Sequence, residues 1–298
     1  MIQIYKTTEN GVEQFPEVVN NCWIKVVDPT PTEIDQLVGF DIPREFLTYP
    51  LDVDELSRHE HEDDGTIMII VRVPFYQGAT SDIPFITLPL GIIINGKFIV
   101  TISRQSYNLI EDFAMGKIRG LSTGKRYRFI LRILLSIANT YLTNLREINK
   151  LTEQVEDRLQ NSIKNKEVME LLKYQKSLVY FSQGIKSNEV LMERLKKMKL
   201  FTQFEEDEDL LEDMITENQQ ALSMTEISTN IMSSMVDAFA TIVSNNVNDV
   251  MKFLASMTIV LSIPSIVVGF FGMNVTLPFS DHPYAYIGVI LLFVILMA

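Results

Sequence analysis

The segment FLASMTIVLSIPSIVVGFFGMNV, residues 253–275, decides the fold of this 298-residue chain. Its first part, residues 253–271, carries no charged side chain, and a helix needs about 20 apolar residues to cross a bilayer. Gly269 and Gly272 weaken the helix toward its end, and Asn274 places an amide just beyond the apolar run. The segment therefore predicts a membrane-spanning helix that stops at a flexible and polar corner.

A second apolar run follows a short connector. The connector VTLPFSDHP, residues 275–283, contains no Lys or Arg, and the run YAYIGVILLFVILMA occupies residues 284–298. We predict a C-terminal hairpin of two spans, the second of them incomplete. Of the 26 Lys and Arg residues only Lys252 lies beyond residue 199. The positive-inside rule therefore predicts a multi-pass protein of the cell membrane whose N-terminus is cytoplasmic.

The net charge of −12 is concentrated in the last third of the chain, because residues 200–298 hold 12 of the 38 acidic residues and one base. An anionic segment next to an anionic leaflet is unsuited to binding lipid headgroups or nucleic acid. We expect it to attract cations and expect no nucleic-acid partner. The single cysteine, Cys22, excludes a disulfide framework within the chain.

Turn-forming residues divide the chain. No proline lies between Pro89 and Pro264, and Gly184 is the only glycine between Lys125 and Ile263. The middle of the chain is therefore predicted to be almost unbroken helix. The N-terminal third is rich in turns and has three runs of β-branched and aromatic residues, at 66–76, 84–94 and 97–103, which predict strands. The pair Asn95-Gly96 between the last two predicts a type I′ hairpin turn.

These patterns predict an α/β domain, long helices and a two-helix transmembrane hairpin. A helix over 205–271 would be about 100 Å long, so it must project into the bilayer and pack against copies of itself or other helices. The predicted parts are an α/β cytoplasmic domain at 1–120, long cytoplasmic helices at 121–204, a long pore helix that ends in the first span at 205–272, an outer loop at 273–283, and the second span at 284–298.

One face of the long helix is small and polar. Steps of four and three residues connect Asp237, Thr241, Ser244, Asn248, Met251, Ala255, Thr258, Ser262, Ser265, Gly269 and Gly272. Small residues on a membrane helix can simply allow close packing. The same face stays polar for several turns before the membrane, however, where a packing seam in water would prefer Leu and Ile. We therefore interpret it as an ion path, with Met251 as an apolar constriction that gates by dewetting.

The chemistry of this face suits a hydrated divalent cation. Mg²⁺ binds oxygen and loses its water reluctantly, so hydroxyl, amide and carbonyl groups suit it better than a cage of carboxylates. A ring of Asn274 amides would offer such groups at the outer mouth. Membrane potential alone can drive entry, because a divalent ion gains about 4.6 kcal/mol per 100 mV.

The tripeptide Gly272-Met273-Asn274, together with two C-terminal spans and a long proline-poor helix, resembles the signature of the CorA family of magnesium channels. The resemblance covers the whole chain. It implies a funnel-shaped homopentamer whose cytoplasmic α/β domain leads to a pore lined by the first membrane helix. The tripeptide would form the selectivity ring. The resemblance implies pore positions at Asn248, Met251 and Ser265, with Leu254 or Ala255 at the neck and an acidic ring at Asp237.

The resemblance also implies a regulatory metal site between neighbouring subunits. The stretch YPLDVDEL, residues 49–56, carries Asp54 and Glu55, and their partner would be Asp213 of the neighbour. Intracellular Mg²⁺ that bridges these acids would hold the channel closed. The alternative is that Asp54 and Glu55 are exposed acids at a helix start. The outer loop departs from the family because Asp281 is its only acid, and the basic C-terminal tail is missing.

Other interpretations stay open. Relatives that move zinc or cobalt share the tripeptide, so the transported ion could be Co²⁺ or Zn²⁺ instead of Mg²⁺. A membrane-tethered cytoplasmic scaffold is the alternative outside transport. In RHEHEDDG, residues 58–65, the His-x-His pattern could bind zinc, but an exposed turn is the favoured interpretation. The basic run 117–132 is predicted to balance the acidic run 205–213. No nucleophile–base set or phosphate-binding loop is present, which argues against an enzyme.

Overall fold

A computed structural model describes residues 1–161, 165–273 and 283–297. The chain divides into two compact units, Met1–Ser234 and Met235–Ala298. The first unit contains a mixed sheet with helices on both faces. The second consists of the C-terminal part of one long helix and a further short helix. The helix α6, Glu205–Phe271, contributes residues to both units.

The sheet of the first unit has seven strands in the spatial order β2-β1-β3-β7-β6-β5-β4. Neighbouring strands are antiparallel except for β3 and β7, which run parallel. A parallel pair requires a long crossover, and the chain between β3 and β7 supplies two helices and three strands. The strands are β1 Ile2–Thr8, β2 Gly11–Phe15, β3 Trp23–Val27, β4 Arg58–His61, β5 Ile67–Tyr76, β6 Phe85–Ile94 and β7 Ile99–Ser103.

Both faces of this sheet are covered. On one face Ile24, Val26 and Ile102 pack in a core with Leu37 and Phe46 of two short helices. On the other face Trp23 contacts Phe129 of one long helix at a ring-centroid distance of 5.3 Å, and Phe85 contacts Phe181 of the next long helix at 6.1 Å. Strands covered on both sides have continuous apolar sequences, which explains why the runs at 66–76 and 84–94 do not alternate.

Three short helices are followed by three long ones and a further short one. They are α1 Pro31–Val38, α2 Arg44–Thr48, α3 Asn108–Ala114, α4 Arg126–Asn161, α5 Asn165–Lys196, α6 Glu205–Phe271 and α7 Ala285–Met297, with 3-10 turns at Tyr49–Leu51 and Lys199–Phe201. Within the first unit α6 is joined to α5 by a hydrogen bond from Gln175 Nε2 to Ser233 Oγ of 3.2 Å. A second bond runs from Asn218 Nδ2 to Ile185 O at 3.3 Å.

The helix α6 has the bounds that the uninterrupted sequence pattern predicts. It contains Pro264 and continues through it to Phe271. Among the described residues it is the one helix long and apolar enough to cross a membrane, and 6% of its most apolar window is buried. The helix ends at the two glycines: Gly272 N donates to Val268 O at 2.8 Å. The described part of the second predicted span is α7, 13 residues long.

The predicted type I′ turn at Asn95-Gly96 is wrong. Ile94 pairs with Ile99, so four residues, 95–98, join β6 to β7. Neither Asn95 nor Gly96 has the positive φ that a type I′ turn requires. The Asn95 side chain explains the difference, because its Oδ1 accepts hydrogen bonds from the backbone N–H of Lys97 at 2.9 Å and Phe98 at 3.3 Å. An Asn side chain that bonds the backbone two residues later stabilises this wider loop.

One prediction and one alternative interpretation for the acidic stretches are also wrong. Arg58–His61 form the edge strand β4, in which His59 pairs with Ile69 and His61 with Ile67, and the exposed turn is confined to residues 62–65. The apolar strand β5 extends far enough to pair with these polar residues, which the sequence pattern of β4 alone does not reveal. Asp54 and Glu55 lie in a turn after the 3-10 segment Tyr49–Leu51. They are therefore not acids at a helix start.

Candidate ion path and acidic loop

The candidate ion path is a face of α6 in the second unit. The side chains from Asp237 to Gly269 on this face are exposed, except Ser262, which is half-buried. Their spacing of three and four residues keeps them on one side of a helix with 3.6 residues per turn. They are Asp237, Thr241, Ser244, Asn248, Met251, Ala255, Thr258, Ser262, Ser265 and Gly269. Leu254, the alternative neck position, is exposed beside Ala255.

Four hydroxyl groups of this face donate their hydrogens within the helix. Thr258 Oγ1 donates to Leu254 O at 2.8 Å, Ser262 Oγ to Thr258 O at 2.6 Å, and Ser265 Oγ to Leu261 O at 3.3 Å. Each hydroxyl oxygen keeps acceptor lone pairs. The face therefore presents acceptors outward, which suit the water shell of a cation. Thr241 Oγ1 makes the same bond, to Asp237 O at 3.0 Å.

The other faces of this helix segment are apolar and exposed in the single chain. Phe253, Ile259 and Leu261 are each 63% exposed, and Ile266 is 69% exposed. So large an apolar surface must be covered by lipid or by other helices. The contrast between these faces and the hydroxyl face is the main chemical asymmetry of the helix.

The end of the helix contains one proline and two glycines, Gly269 and Gly272. Pro264 has no N–H and cannot donate to the carbonyl of Val260. A Cβ at Gly272 would lie 3.1 Å from Val268 O, whereas one at Gly269 would have no neighbour within 4 Å. The exposed Met273 follows in a bend. Asn274, the third residue of the predicted selectivity ring, and Asp281 lie outside the described residues.

The predicted regulatory acids differ in what they contact. Glu55 Oε1 accepts a hydrogen bond from Arg58 Nε at 2.9 Å. Arg58 also pairs with Glu60 and lies 4.6 Å from the ring centroid of Tyr49. Asp54 is exposed. A cation that bound Glu55 would therefore compete with Arg58, whereas Asp54 is open to solvent.

The backbone of the acidic loop, residues 52–57, is held in place by hydrogen bonds from Arg72 of β5. Its Nη1 donates to Val53 O at 2.6 Å and to Glu55 O at 2.9 Å, the two carbonyls that flank Asp54. Arg72 is not among the residues that the sequence patterns predict for this site. In the sequence it stands out as a single arginine within the apolar run TIMIIVRVPFY. A charged side chain at such a position must find buried hydrogen-bond partners.

The third predicted regulatory acid, Asp213, is exposed on α6. Within the part of the single chain that the structure describes, it forms no ion pair or hydrogen bond with Asp54 or Glu55. No group of three or more His, Cys, Asp or Glu side chains that could hold a metal ion occurs among the described residues. The three acids thus do not form a site within one described chain.

The acidic run at the start of α6 is partly neutralised. Arg128 of α4 forms ion pairs with Glu206 and with the buried Asp207. The prediction that the basic run 117–132 balances the acidic run is confirmed for these residues.

Comparison with known proteins gives consistent matches. The family described as "CorA-like Mg2+ transporter protein" matches residues 20–298. The cobalt/magnesium transport protein CorA of Methanocaldococcus jannaschii is 28% identical over 289 residues, which cover 92% of this chain and 87% of that protein. The complete structure of the CorA magnesium transporter from the same organism matches with a TM-score of 0.85 and 24% identity, over 100% of this chain and 95% of that one.

A further match is to an isolated cytoplasmic domain. The cytoplasmic domain of ZntB from Vibrio parahaemolyticus has a TM-score of 0.59 and 14% identity, over 83% of this chain and 98% of that one. At these identities the structural matches show a shared fold, namely an α/β domain followed by a long helix.

Proposed function

The chain belongs to the CorA-like Mg²⁺ transporter family, and on this premise we propose that it is a gated channel for hydrated Mg²⁺ whose pore is lined by one face of α6. The observation that carries the proposal is the hydroxyl face itself. Thr258, Ser262 and Ser265 donate inward to helix carbonyls and so present acceptor oxygens along one side of an otherwise apolar helix.

Acceptor oxygens suit the transported ion. Mg²⁺ keeps several waters when it binds protein, and those waters donate hydrogen bonds. A row of acceptors can stabilise the hydrated ion without stripping its shell, whereas carboxylates along the whole path would hold it too tightly to leave. Asp237 would concentrate cations at the inner end, and Met251 would form the apolar constriction. Gly272, Met273 and Asn274 would form the selectivity ring at the outer mouth.

The exposed apolar faces of α6 support an assembly that covers them. We propose that several copies of α6 surround the path in a homopentamer, with α7 outside them and lipid around both. The protein would cross the cell membrane twice with its N-terminus in the cytoplasm. The lack of Lys and Arg between residue 252 and the end of the chain supports this orientation.

Gating would depend on the acidic loop. We propose that cytoplasmic Mg²⁺ bridges Asp54 and Glu55 of one copy to Asp213 of the next, and that loss of this bridge lets the ring open. Asp54 is the stronger candidate ligand in this chain, because Glu55 already pairs with Arg58. Co²⁺ is a second candidate cargo, since the Methanocaldococcus relative carries cobalt and magnesium in its name. Zn²⁺ belongs in the same competition test.

The proposal is tested by flux. The full chain is reconstituted in liposomes, an inward-negative potential is imposed, and Mg²⁺ entry is followed with an internal dye, with Co²⁺ and Zn²⁺ as competitors. We expect potential-driven uptake that Asn274→Ala abolishes or strongly reduces, with Asn139→Ala, an exposed position on α4, as the matched control. Absence of flux of any divalent ion from folded protein would leave the membrane-tethered scaffold as the better account.

A further inference from the structure

Arg72 is a buried cation that is bonded to backbone and hydroxyl groups. It lies in the middle of β5 with 8% of its surface exposed. Its guanidinium makes five hydrogen bonds: two to the carbonyls of Val53 and Glu55, one to Thr87 O, and two to Thr87 Oγ1. Among the residues that the structure describes, no carboxylate forms an ion pair with it within 4.0 Å.

A charge in such a place needs an explanation. Burying an ion without a counter-ion is expensive, and an apolar side chain would fill a strand between two covered faces at lower cost. An arginine differs from other residues in offering five donors in a rigid planar fork. Here one branch of the fork holds the carbonyls on both sides of Asp54, and the rest holds Thr87 of the neighbouring strand.

The backbone of Arg72 is itself fixed by α5 and α4. Asn188, which is 0% exposed, accepts from Arg72 N at 2.9 Å and donates to Arg72 O at 2.8 Å. Tyr141 Oη also donates to Arg72 O, at 3.1 Å. Ser57, at the end of the acidic loop, donates through Oγ to the same Asn188 Oδ1 at 2.6 Å. The Ser57 backbone N–H also donates to Ser187 Oγ of α5 at 2.8 Å, so the loop is attached to β5 through Arg72 and to α5 through Ser57.

Gly184 of α5 lets this helix pack directly against the groups of this hydrogen-bond network. A Cβ at Gly184 would lie 2.6 Å from Tyr141 Oη and 2.8 Å from Thr87 Cγ2. Only a residue without a side chain lets α5 come this close to the groups that surround Arg72. This contact accounts for the one glycine in the long proline-free stretch between Lys125 and Ile263.

We propose that Arg72 is a positioning residue for cation sensing, which holds Asp54 and Glu55 in the geometry that a bridging Mg²⁺ requires. The inference rests on the proposed regulatory role of these acids. Releasing the two carbonyls would free the loop, so that a cation would have to order it on binding and would bind less tightly. Arg72 lies in β5, far along the chain from the pore face of α6, so permeation itself should not change.

The test separates sensing from permeation. In inside-out patches from membranes that contain the full chain, Mg²⁺ currents from the pipette are recorded while Mg²⁺ at the cytoplasmic face is titrated. Arg72→Lys keeps the charge but loses the planar fork of donors. For this variant we expect the half-inhibitory Mg²⁺ concentration to rise by about threefold or more, which is the change in affinity that the loss of roughly one hydrogen bond causes. The current without cytoplasmic Mg²⁺ should stay at the wild-type level.

Two reference variants complete the experiment. Arg44→Lys is the matched control, because Arg44 is exposed and pairs only with Asp35 among the described residues, and it should inhibit like wild type. Asp54→Asn tests the sensing loop directly and should also raise the half-inhibitory concentration. If Arg72→Lys does not fold, Ser57→Ala replaces it, since it removes the side-chain hydrogen bond between the loop and Asn188, and a rise in the half-inhibitory concentration is again expected.

The outcomes distinguish this inference from the function on which it rests. A rise for Asp54→Asn but not for Arg72→Lys or Ser57→Ala overturns the positioning role and leaves the proposed function intact. Unchanged inhibition in Asp54→Asn overturns both the sensing loop and the role of Arg72 within it. A wild-type chain that conducts no Mg²⁺ at all contradicts the proposed function itself.

Discussion

The side-chain amide of Asn188 pairs with the backbone of Arg72 as a neighbouring strand would. Arg72 N donates to Asn188 Oδ1 at 2.9 Å, and Asn188 Nδ2 donates to Arg72 O at 2.8 Å. The edge strand β4 pairs with β5 only up to Arg58 opposite Ile70. The next backbone groups of β5 on that side therefore need another hydrogen-bond partner. A helix side chain supplies it and satisfies groups that cannot be left unbonded in the interior.

We therefore expect Asn188→Ala to destabilise the protein. The substitution removes two buried hydrogen bonds of the Arg72 backbone and leaves its N–H only the longer bond to Ser57 Oγ, at 3.2 Å, which costs about 1–3 kcal/mol. Thermal unfolding of the full chain in detergent, followed by circular dichroism, should show a clear fall in Tm. Asn139→Ala, at an exposed position of α4, is the control and should change Tm little. Equal effects of the two variants would contradict the role assigned to the Asn188 amide.

Gly184→Ala should also destabilise the protein, by about 1–3 kcal/mol, because the new methyl group would overlap Tyr141 Oη and Thr87. Tyr141→Phe removes the closest of these atoms. In the double variant Gly184→Ala with Tyr141→Phe, we expect the combined loss of stability to be smaller than the sum of the single losses. Gly96→Ala, where a Cβ meets nothing within 4 Å, is the control. Strict additivity would show that the contact with Tyr141 is not the cause.

Acid should destabilise the first unit through His59. Burial lowers the pKa of His59 below 6.5, helped by the nearby charges of Arg194 and His61, and its Nδ1 has no hydrogen-bond partner among the described residues. The unfolded chain therefore takes up a proton at higher pH than the folded chain. The stability that the neutral imidazole provides is present above about pH 6.5 and is lost as the pH falls through the folded pKa.

The measurement compares Tm at about pH 7.5 and pH 5.5, on either side of the ordinary histidine pKa. His59→Gln should lose less Tm between the two conditions than wild type does. His61→Gln, two residues away on the same strand but exposed, should behave like wild type. The same acid-induced loss in His59→Gln and wild type would show that another group carries the pH dependence.

Met251 is predicted to act as an apolar constriction. Met251→Ser would wet this position, since apolar rings close pores by excluding water. We expect a larger residual Mg²⁺ current at inhibiting cytoplasmic Mg²⁺ than in wild type. Met257→Ser is the matched control, because Met257 is exposed on the same helix but lies off the polar face. An equal leak in both variants would assign the effect to helix destabilisation.

The sequence and the structure agree where a pattern is long and regular. The helix α6 and the strands β5 and β6 have the predicted positions, because an unbroken helical period or a continuous β-branched run leaves few alternatives. The polar exceptions could not be placed. The sequence shows that Arg72 interrupts an apolar run, but not that its fork reaches the carbonyls on either side of Asp54, since those contacts join residues about 20 positions apart.

Local side-chain chemistry explains the remaining differences. The Asn95 amide bonds Lys97 and Phe98 and thereby replaces the tight turn that Asn-Gly favours. His59 and His61 have loop-like neighbours in sequence, yet β5 is long enough to pair with them. Which residues line the path in the assembly depends on contacts between copies, which one chain does not contain.

The central claim is that one face of α6 lines the ion path, and accessibility to a thiol reagent tests it most directly. Cys22 is the only cysteine and is 0% exposed, so a single cysteine introduced elsewhere is the only reactive group. Ser262→Cys and Ser265→Cys are compared with Phe253→Cys and Val260→Cys, which are exposed on the opposite, apolar side of the helix. Mg²⁺ current is recorded while a charged, membrane-impermeant methanethiosulfonate is applied. We predict that the reagent blocks current through the two serine-derived variants and leaves the Phe253→Cys and Val260→Cys variants unchanged. Block on all faces alike, or only at the two apolar positions, would contradict the account.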